Sequence, residues 1–328
     1  MSELLKALIA GTGLSEAHLM RIISRAPSSY REYTIPKRDG SRRAIAQPAR
    51  EVKALQYVLL ERFLKSLPVH PAATAYRPGR ALRDNVEPHL DSGPIYKFDF
   101  SAFFPSILAQ DWNVYCAERG LFKDPIERWM STNILFHRPK GSTILRLAIG
   151  APSSPHLSNL LMYKFDARIV ELVQKDFVTY TRYADDLTFS AKRTGYLNGV
   201  QRALRTALAE IQSPKLKINP EKTVLATKKY HRQVTGLVIT NDGKISLGRE
   251  RKRMIRAALH RESQNLLSQD DRVRLAGILA FVHAAEPEFL ERLRKKYGHT
   301  VIERLKKEGV RRPGEGRLPP VVDDDVPF

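Results

Sequence analysis

Asp185 and Asp186 stand side by side in Tyr180-Thr181-Arg182-Tyr183-Ala184-Asp185-Asp186-Leu187-Thr188-Phe189-Ser190, a run otherwise rich in aromatic and β-branched residues. Tyr180 and Arg182 before the pair, and Leu187 and Phe189 after it, alternate as strands do, and Ala184-Asp185-Asp186 supplies the small and polar residues of a tight turn. Two like charges on a rigid hairpin tip repel each other unless a cation sits there. Carboxylate oxygens are hard donors suited to divalent metal, and two Mg²⁺ ions about 3.5–4 Å apart serve phosphoryl transfer. Alone, the pair reads first as a solvated surface turn. A third carboxylate changes the balance. Asp99 closes the hydrophobic run Ile95-Tyr96-Lys97-Phe98-Asp99 and precedes Phe100-Ser101-Ala102-Phe103-Phe104-Pro105. An unpaired buried carboxylate is costly, so Asp99 needs a cation or donors; its plainer role is a helix cap. Three carboxylates on two adjacent strands are what a two-metal phosphoryl-transfer site requires.

The whole chain narrows the partners. Its 328 residues exceed one ordinary core, so two or three lobes are expected, and 42% hydrophobic residues suffice to fill them. Lys and Arg outnumber Asp and Glu by 55 to 35, a net charge of +20 that points to a polyanion, nucleic acid first. Charge names a class of partner and no reaction. A single cysteine, Cys116, excludes an internal disulfide and a cysteine-rich zinc site and suits a reducing compartment. Met1 to Ala10 carries Glu3 and Lys6, unlike a secretory signal, and no stretch approaches a membrane span. A soluble cytoplasmic protein without membrane contact is the expectation.

The elements that must position the carboxylates follow from periodicity. Residues 1–26 read as two short helices broken at Gly11-Thr12-Gly13, and Tyr30 to Pro48 as a basic β-ribbon turning at Asp39-Gly40. Glu51 to Leu67 has helical spacing and stops at Pro68. Arg77, Arg80 and Arg83 are candidate phosphate contacts, whereas His89 beside Pro88 reads as a structural hydrogen bonder. Helices are expected over Asp111 to Arg119 and Pro125 to Phe136, a loop at Gly150-Ala151-Pro152-Ser153-Ser154-Pro155, and one amphipathic helix from Pro155 to Val173. Gly199 to Ile211 is helical. Leu216 to Val224 alternates as a strand interrupted at Asn219-Pro220, and Lys222 within it meets a triphosphate or lies on the surface. Val234 to Ile239 and Lys244 to Leu247 form a hairpin about Asn241-Asp242-Gly243. Arg249, Arg251, Lys252, Arg253, Arg256 and Arg261 then crowd one helix, and Thr300 with Glu303 makes a capping box for a last one. The tail from Arg311 to Phe328 has no periodicity.

Asp99 in Phe98-Asp99-Phe100-Ser101-Ala102-Phe103-Phe104, the Gly150 to Pro155 loop and Tyr183-Ala184-Asp185-Asp186 resemble, in order and spacing, the motifs of reverse transcriptases, from about Tyr33 through Ile239. Within that group the chain is most similar to the bacterial retron reverse transcriptases. Asn85-Val86-Glu87-Pro88-His89 resembles their Asn-Ala-x-x-His segment, with Val for Ala, and Val234-Thr235-Gly236 their Val-Thr-Gly segment. One departure is plain: Ala148-Ile149 stands where the family has Pro-Gln before the loop glycine.

The resemblance implies an α+β right-hand polymerase: N-terminal helices and fingers over 1–95, a palm over 96–240 with a fingers insertion near 111–146, a basic helical thumb over 241–310 and a flexible tail over 311–328. It implies that Asp99, Asp185 and Asp186 are catalytic and, with Phe100, contact two Mg²⁺ ions. Arg42, Arg43, Phe104, Gly150 and Lys222 would meet the nucleotide, with Phe104 beneath the sugar. Asn85, His89, Val234, Thr235, Gly236, Arg249, Arg253 and Arg256 would meet RNA. The implied activity copies a cognate structured noncoding RNA, from dNTPs, into single-stranded DNA that stays joined to it by a 2′–5′ link, in antiphage defence with a separately encoded effector. Other bacterial reverse transcriptases, of diversity-generating or phage-exclusion type, are the nearest alternative, and a non-catalytic RNA-binding module the next.

Overall fold

The computed structural model describes residues 1–36 and 40–308; the ribbon tip Lys37, Arg38 and Asp39 and the tail from 309 onward, both subjects of sequence expectations, lie outside them. Helices α1 (Glu3–Thr12) and α2 (Glu16–Arg25) bury Leu4, Leu8, Leu19 and Ile23. Strands β1 (Tyr30–Pro36) and β2 (Arg42–Pro48) pair antiparallel, Tyr30 opposite Pro48 and Pro36 opposite Arg42. The helix expected to reach Leu67 is α3 (Arg50–Leu59) continued by a π-turn over Leu60–Leu64. Short α4 (Leu82–Val86) runs into a 3₁₀ turn at Glu87–His89.

The central sheet begins with β3 (Ile95–Asp99), followed by α5 (Phe103–Ser106), α6 (Ala109–Arg119), α7 (Pro125–Leu135), α8 (Ser154–Leu161) and α9 (Tyr163–Gln174). The single helix expected from Pro155 to Val173 is thus divided at Met162. Then come β4 (Thr179–Tyr183), β5 (Asp186–Ser190), α10 (Val200–Glu210) and β6 (Val224–Ala226), which complete an antiparallel sheet of order β4-β5-β3-β6. The strand expected across 216–224 is reduced to a bridge between Ile218 and Phe100 and a 3₁₀ turn at Pro220–Lys222. Apolar packing runs without a break from Leu4 to Leu216, across the boundary expected at residue 95.

A second core joins β7 (Gln233–Val234), β8 (Leu237–Ile239), β9 (Ile245–Ser246), α11 (Arg249–Ser263), α12 (Gln269–Ala285), α13 (Pro287–Tyr297) and α14 (His299–Glu308), and takes in Val86 and Ile95. Val234 to Ile239 is not one strand. Thr235 and Gly236, with φ of 44° and 75°, form the two-residue turn of a β7–β8 hairpin, whose backbone demands positive φ at both positions. The β8–β9 hairpin lies where expected. Glu303 accepts from Arg294 Nη2 at 2.6 Å rather than capping the last helix. The class is α+β, as expected. Among the described residues no helix is long and apolar enough to cross a membrane.

Behind the β4–β5 turn lies a buried polar cluster. Arg182 is fully enclosed; its Nε and Nη2 donate to Asp166 Oδ1 and Oδ2 at 2.8 and 2.6 Å, and its Nη1 to Asn159 Oδ1 at 3.1 Å and the Ala184 carbonyl at 3.0 Å. Tyr180 Oη donates to the same Asp166 Oδ1 at 2.8 Å, and Asn159 Nδ2 to the Ala75 carbonyl. The Ala184 carbonyl is one that this arginine must hold, because Ala184 has φ of 56° in a region alanine rarely adopts. Burial opposes the Arg182 charge, and the Asp166 carboxylate overcomes it, leaving the guanidinium pKa raised.

A second brace crosses from the 3₁₀ turn to the strands. His89 contacts Ser190 Oγ through Nδ1 at 2.6 Å and Thr181 Oγ1 through Nε2 at 2.8 Å, and Ser92 Oγ donates to Ser190 Oγ at 2.8 Å. Burial drives the imidazole from its ordinary 6.5 to about 3.

These two clusters yield two tests. Asp166→Asn leaves a buried guanidinium without its counter-charge and should lower stability to urea by about 3–5 kcal/mol. Asp166→Leu combined with Arg182→Met should cost less than the sum of the single changes; strict additivity would refute a coupled pair. His89 folds neutral, so between pH 6.5 and about 3 the unfolded chain binds the extra proton. Its contribution is full above 6.5 and is lost as pH falls through that window, at no more than about 1.4 kcal/mol per pH unit. His89→Gln should flatten the pH dependence of stability there, and an unchanged slope would remove His89 as its source.

Candidate active site

Strand register brings the three carboxylates to one edge. Asp99, the last residue of β3, pairs with Asp186, the first of β5, and the Phe100 amide donates to the Asp185 carbonyl at 3.2 Å. Asp99 is buried, 6% exposed, and its Oδ2 accepts from Lys222 Nζ at 3.1 Å. The Asn219 amide bonds the Asp99 carbonyl at 2.7 Å, which pins the 3₁₀ turn bearing Lys222 against β3. Burial first, and the Asp99 charge second, push the Asp185 carboxyl up to about 6, while Lys222 and Arg43 draw it down. Burial opposes the Lys222 charge, yet its bond to Asp99 and the charges of all three carboxylates raise the ammonium pKa.

A divalent cation fits this donor set. Asp99, Asp185 and Asp186 offer carboxylate oxygens; Phe100, its ring buried against Phe103 and Phe165, has only its backbone carbonyl to offer. Among the described residues no three acidic, histidine or cysteine side chains converge closely enough to cage an ion as they stand. The Lys222 ammonium occupies one Asp99 oxygen, Oδ2, and the Arg43 charge also acts on Asp185.

The surroundings bring in further residues. Phe104 packs against Tyr76 with centroids 6.3 Å apart, and Tyr76 against Tyr183 at 6.5 Å. Tyr76 was no site candidate from sequence, although it stands in the turn beside Arg77-Pro78-Gly79 and has φ of 59°. The β-ribbon leans on the central loop: the Ala46 amide donates to the Ile149 carbonyl at 2.8 Å. Gly150, with φ of 117°, lies so close that a Cβ would come within 3.0 Å of the Ala46 carbonyl oxygen. Ile149 therefore keeps a backbone role where its side chain lacks the family's amide. Arg42 is exposed and bonds Thr34 Oγ1 at 2.7 Å, whereas Arg43 is half-buried and its charge reaches Asp185.

The expected RNA contacts divide. Arg249, Arg253 and Arg256 are exposed on α11, at spacings of four and three that put them on one face. Asn85, His89, Val234, Thr235 and Gly236 are all buried and present no surface to RNA. Asn85 Oδ1 accepts from Thr74 Oγ1 at 2.9 Å, His89 bridges β4 and β5, Val234 lies in the second core, and the Gly236 carbonyl accepts from Arg251. α4 and the β7–β8 turn sit between two cores, where Asn85 Oδ1 and both His89 ring nitrogens have internal partners while Asn85 Nδ2 and Thr235 Oγ1 are buried without one.

The chain matches the family described as reverse transcriptase (RNA-dependent DNA polymerase) over residues 35–239. It is 36% identical over 286 residues to the retron Ec83 reverse transcriptase of Escherichia coli, covering 87% of this chain and 92% of that one. To the retron Ec86 reverse transcriptase of the same organism it is 33% identical over 304 residues, covering 90% and 91%. Among solved structures it is similar to telomerase from Candida albicans, with a TM-score of 0.48 and 12% identity, covering 84% of this chain and 54% of that one. With its carboxylate motifs inside the matched span and relatives of this likeness along most of its length, the chain belongs to the bacterial retron reverse transcriptases.

Proposed function

We propose that the Asp99-Asp185-Asp186 edge is the polymerising centre of this RNA-directed DNA polymerase and that it works with two Mg²⁺ ions. The observation that carries the reading is the β3–β5 register, which sets Asp99 opposite Asp186 with Asp185 bonded beside them. Bound there, the ions supply a lowered pKa for the primer hydroxyl and charge neutralisation at the triphosphate and leaving pyrophosphate. The chain's own residues do the positioning. Lys222, turned from Asp99 to the triphosphate, and Arg43, from the ribbon, steady the negative charge of the incoming nucleotide. Phe104, backed by Tyr76, closes the space beneath the sugar and disfavours a ribose 2′-hydroxyl. Arg249, Arg253 and Arg256 lie along the backbone of the RNA/DNA duplex, where cations provide affinity without sequence readout.

The template in this reading is a cognate structured noncoding RNA, and the product a single-stranded DNA joined to it, made for antiphage defence alongside a separately encoded effector. Support comes from the retron relatives at 33–36% identity and from a net charge of +20.

Asp185→Ala with Asp186→Ala should abolish RNA-linked DNA in cells making the protein and its RNA, and dNTP incorporation on a primed RNA template in vitro. Persistence of that DNA would reject the site. Sequencing the copurified nucleic acid should return one RNA species joined to DNA; a scatter of unlinked RNAs would favour a different class of bacterial reverse transcriptase. Lys222→Ala should slow single-nucleotide incorporation on the order of 10²-fold, with Lys222→Arg recovering part of the rate. Equal rates for all three proteins would leave Lys222 as a mere counter-ion of Asp99.

A further inference from the structure

At the end of the central sheet remote from the carboxylates, two loops meet and present aromatic rings to solvent. Phe177, between α9 and β4, is 80% exposed, more than any other large hydrophobic side chain among the described residues. Its φ is 53°. Tyr196, in the 3₁₀ turn after β5, is 40% exposed, and the two ring centroids are 6.4 Å apart at 42°. Lys175, Lys192 and Arg193 are exposed in the same two loops, against the single carboxylate of Asp176. The loops touch, because a Cβ on Gly199 would come within 2.9 Å of Asp176 Oδ2.

Folding does not account for a phenylalanine at this position. The left-handed region costs an ordinary residue roughly 1–2 kcal/mol and is the natural place for glycine or asparagine. A bulky residue held there is usually repaid by burial, and Phe177 is not buried. Strain and exposure together, at a residue that neither the turn nor the core needs, direct attention to a ligand. Exposed rings flanked by cations are how proteins hold single strands: bases stack on the rings and phosphates meet the charges.

We infer that Phe177 and Tyr196 form a stacking platform for unpaired nucleotides, with Lys175, Lys192 and Arg193 on the phosphates, separate from the polymerising edge. At this end of the hairpin Thr179 pairs with Ser190, and at the other Tyr183 pairs with Asp186. The five-residue strands span about 13 Å from end to end, and Phe177 and Tyr196 lie beyond the far end from the carboxylates. The site therefore takes nucleic acid outside the duplex being extended, and its existence does not depend on how the carboxylates work.

The test uses the full chain with saturating primer–template duplex to occupy the polymerase cleft. Phe177→Trp places an indole at the platform, and the natural Trp112, buried, and Trp129, 40% exposed, set the background in the unaltered protein. A 12-nucleotide unstructured oligoribonucleotide and the matching oligodeoxyribonucleotide are titrated separately. The proposal expects added indole quenching by at least one of them, lost when Lys192→Glu and Arg193→Glu are introduced; the stronger titrant identifies RNA or DNA as the ligand. Phe177→Gly with Tyr196→Ala should weaken oligonucleotide binding about tenfold, with extension of a short generic primer–template unchanged. Glycine relieves the backbone at 177, so this loss is not one of folding. Absence of added quenching, unchanged affinity in the double variant, or quenching by an acidic peptide and not by either oligonucleotide would overturn the proposal.

Discussion

The ion pair between Arg182 and Asp166 is the constraint on which the rest of the molecule depends. Both side chains are completely enclosed, and each satisfies the other through two bonds. Two charges are tolerable in a core only if every donor and acceptor finds a partner, and Asn159, Tyr180 and the Ala184 carbonyl complete the set. The consequence is positional. Arg182 is three residues from Asp185, and its backbone also bonds Ala72 and Thr74 on the neighbouring loop. The helix that carries Asp166, the helix that carries Asn159 and the loop before α4 therefore all converge on the hairpin tip. The turn, strained at Ala184, is held from behind by a rigid polar cluster.

In front of the turn the problem is reversed. Asp99, Asp185 and Asp186 crowd one edge, and burial first, with the Asp99 charge second, raises the Asp185 carboxyl. Lys222 answers that crowding from a side chain that is 60% exposed, so its hold on Asp99 is well hydrated and readily exchanged for another cation. A firm scaffold behind and a replaceable counter-ion in front are compatible demands, because one lies in the core and the other at the solvent edge.

The basic helix α11 makes the same division along its length. Lys252 donates to Glu286 at 2.7 Å, and Arg292 and the Leu247 amide bond that carboxylate too. Arg256 lies over the Phe289 ring at 5.2 Å and still reaches solvent. Part of the positive charge thus binds the helical lobe to itself, and Arg249 and Arg253 carry the remainder outward. Net charge points to a polyanion, but only the fold separates cations that bind it from cations that hold the protein together.

Sequence alone determined the chemistry. Adjacent Asp185 and Asp186, Asp99 at a strand end, the Asn241-Asp242-Gly243 turn and the helical spacing of most helices are local patterns, and local backbone physics sets them. It also read His89 as a structural hydrogen bonder, and the buried ring bridges Ser190 and Thr181. What only the tertiary structure decided is everything that depends on residues distant in the chain. Asp166 and Asn159 lie in an unremarkable helical pattern and become the support of the turn only when α8 and α9 pack beneath β4. Tyr76 joins the site across the sheet, and Lys222 reaches Asp99 from 123 residues away. Asn85 and Thr235 look like available polar side chains until two cores close over them. A polar residue's type is visible in a sequence, but whether water, protein or ligand satisfies it is settled by burial, and burial is a property of the assembled chain.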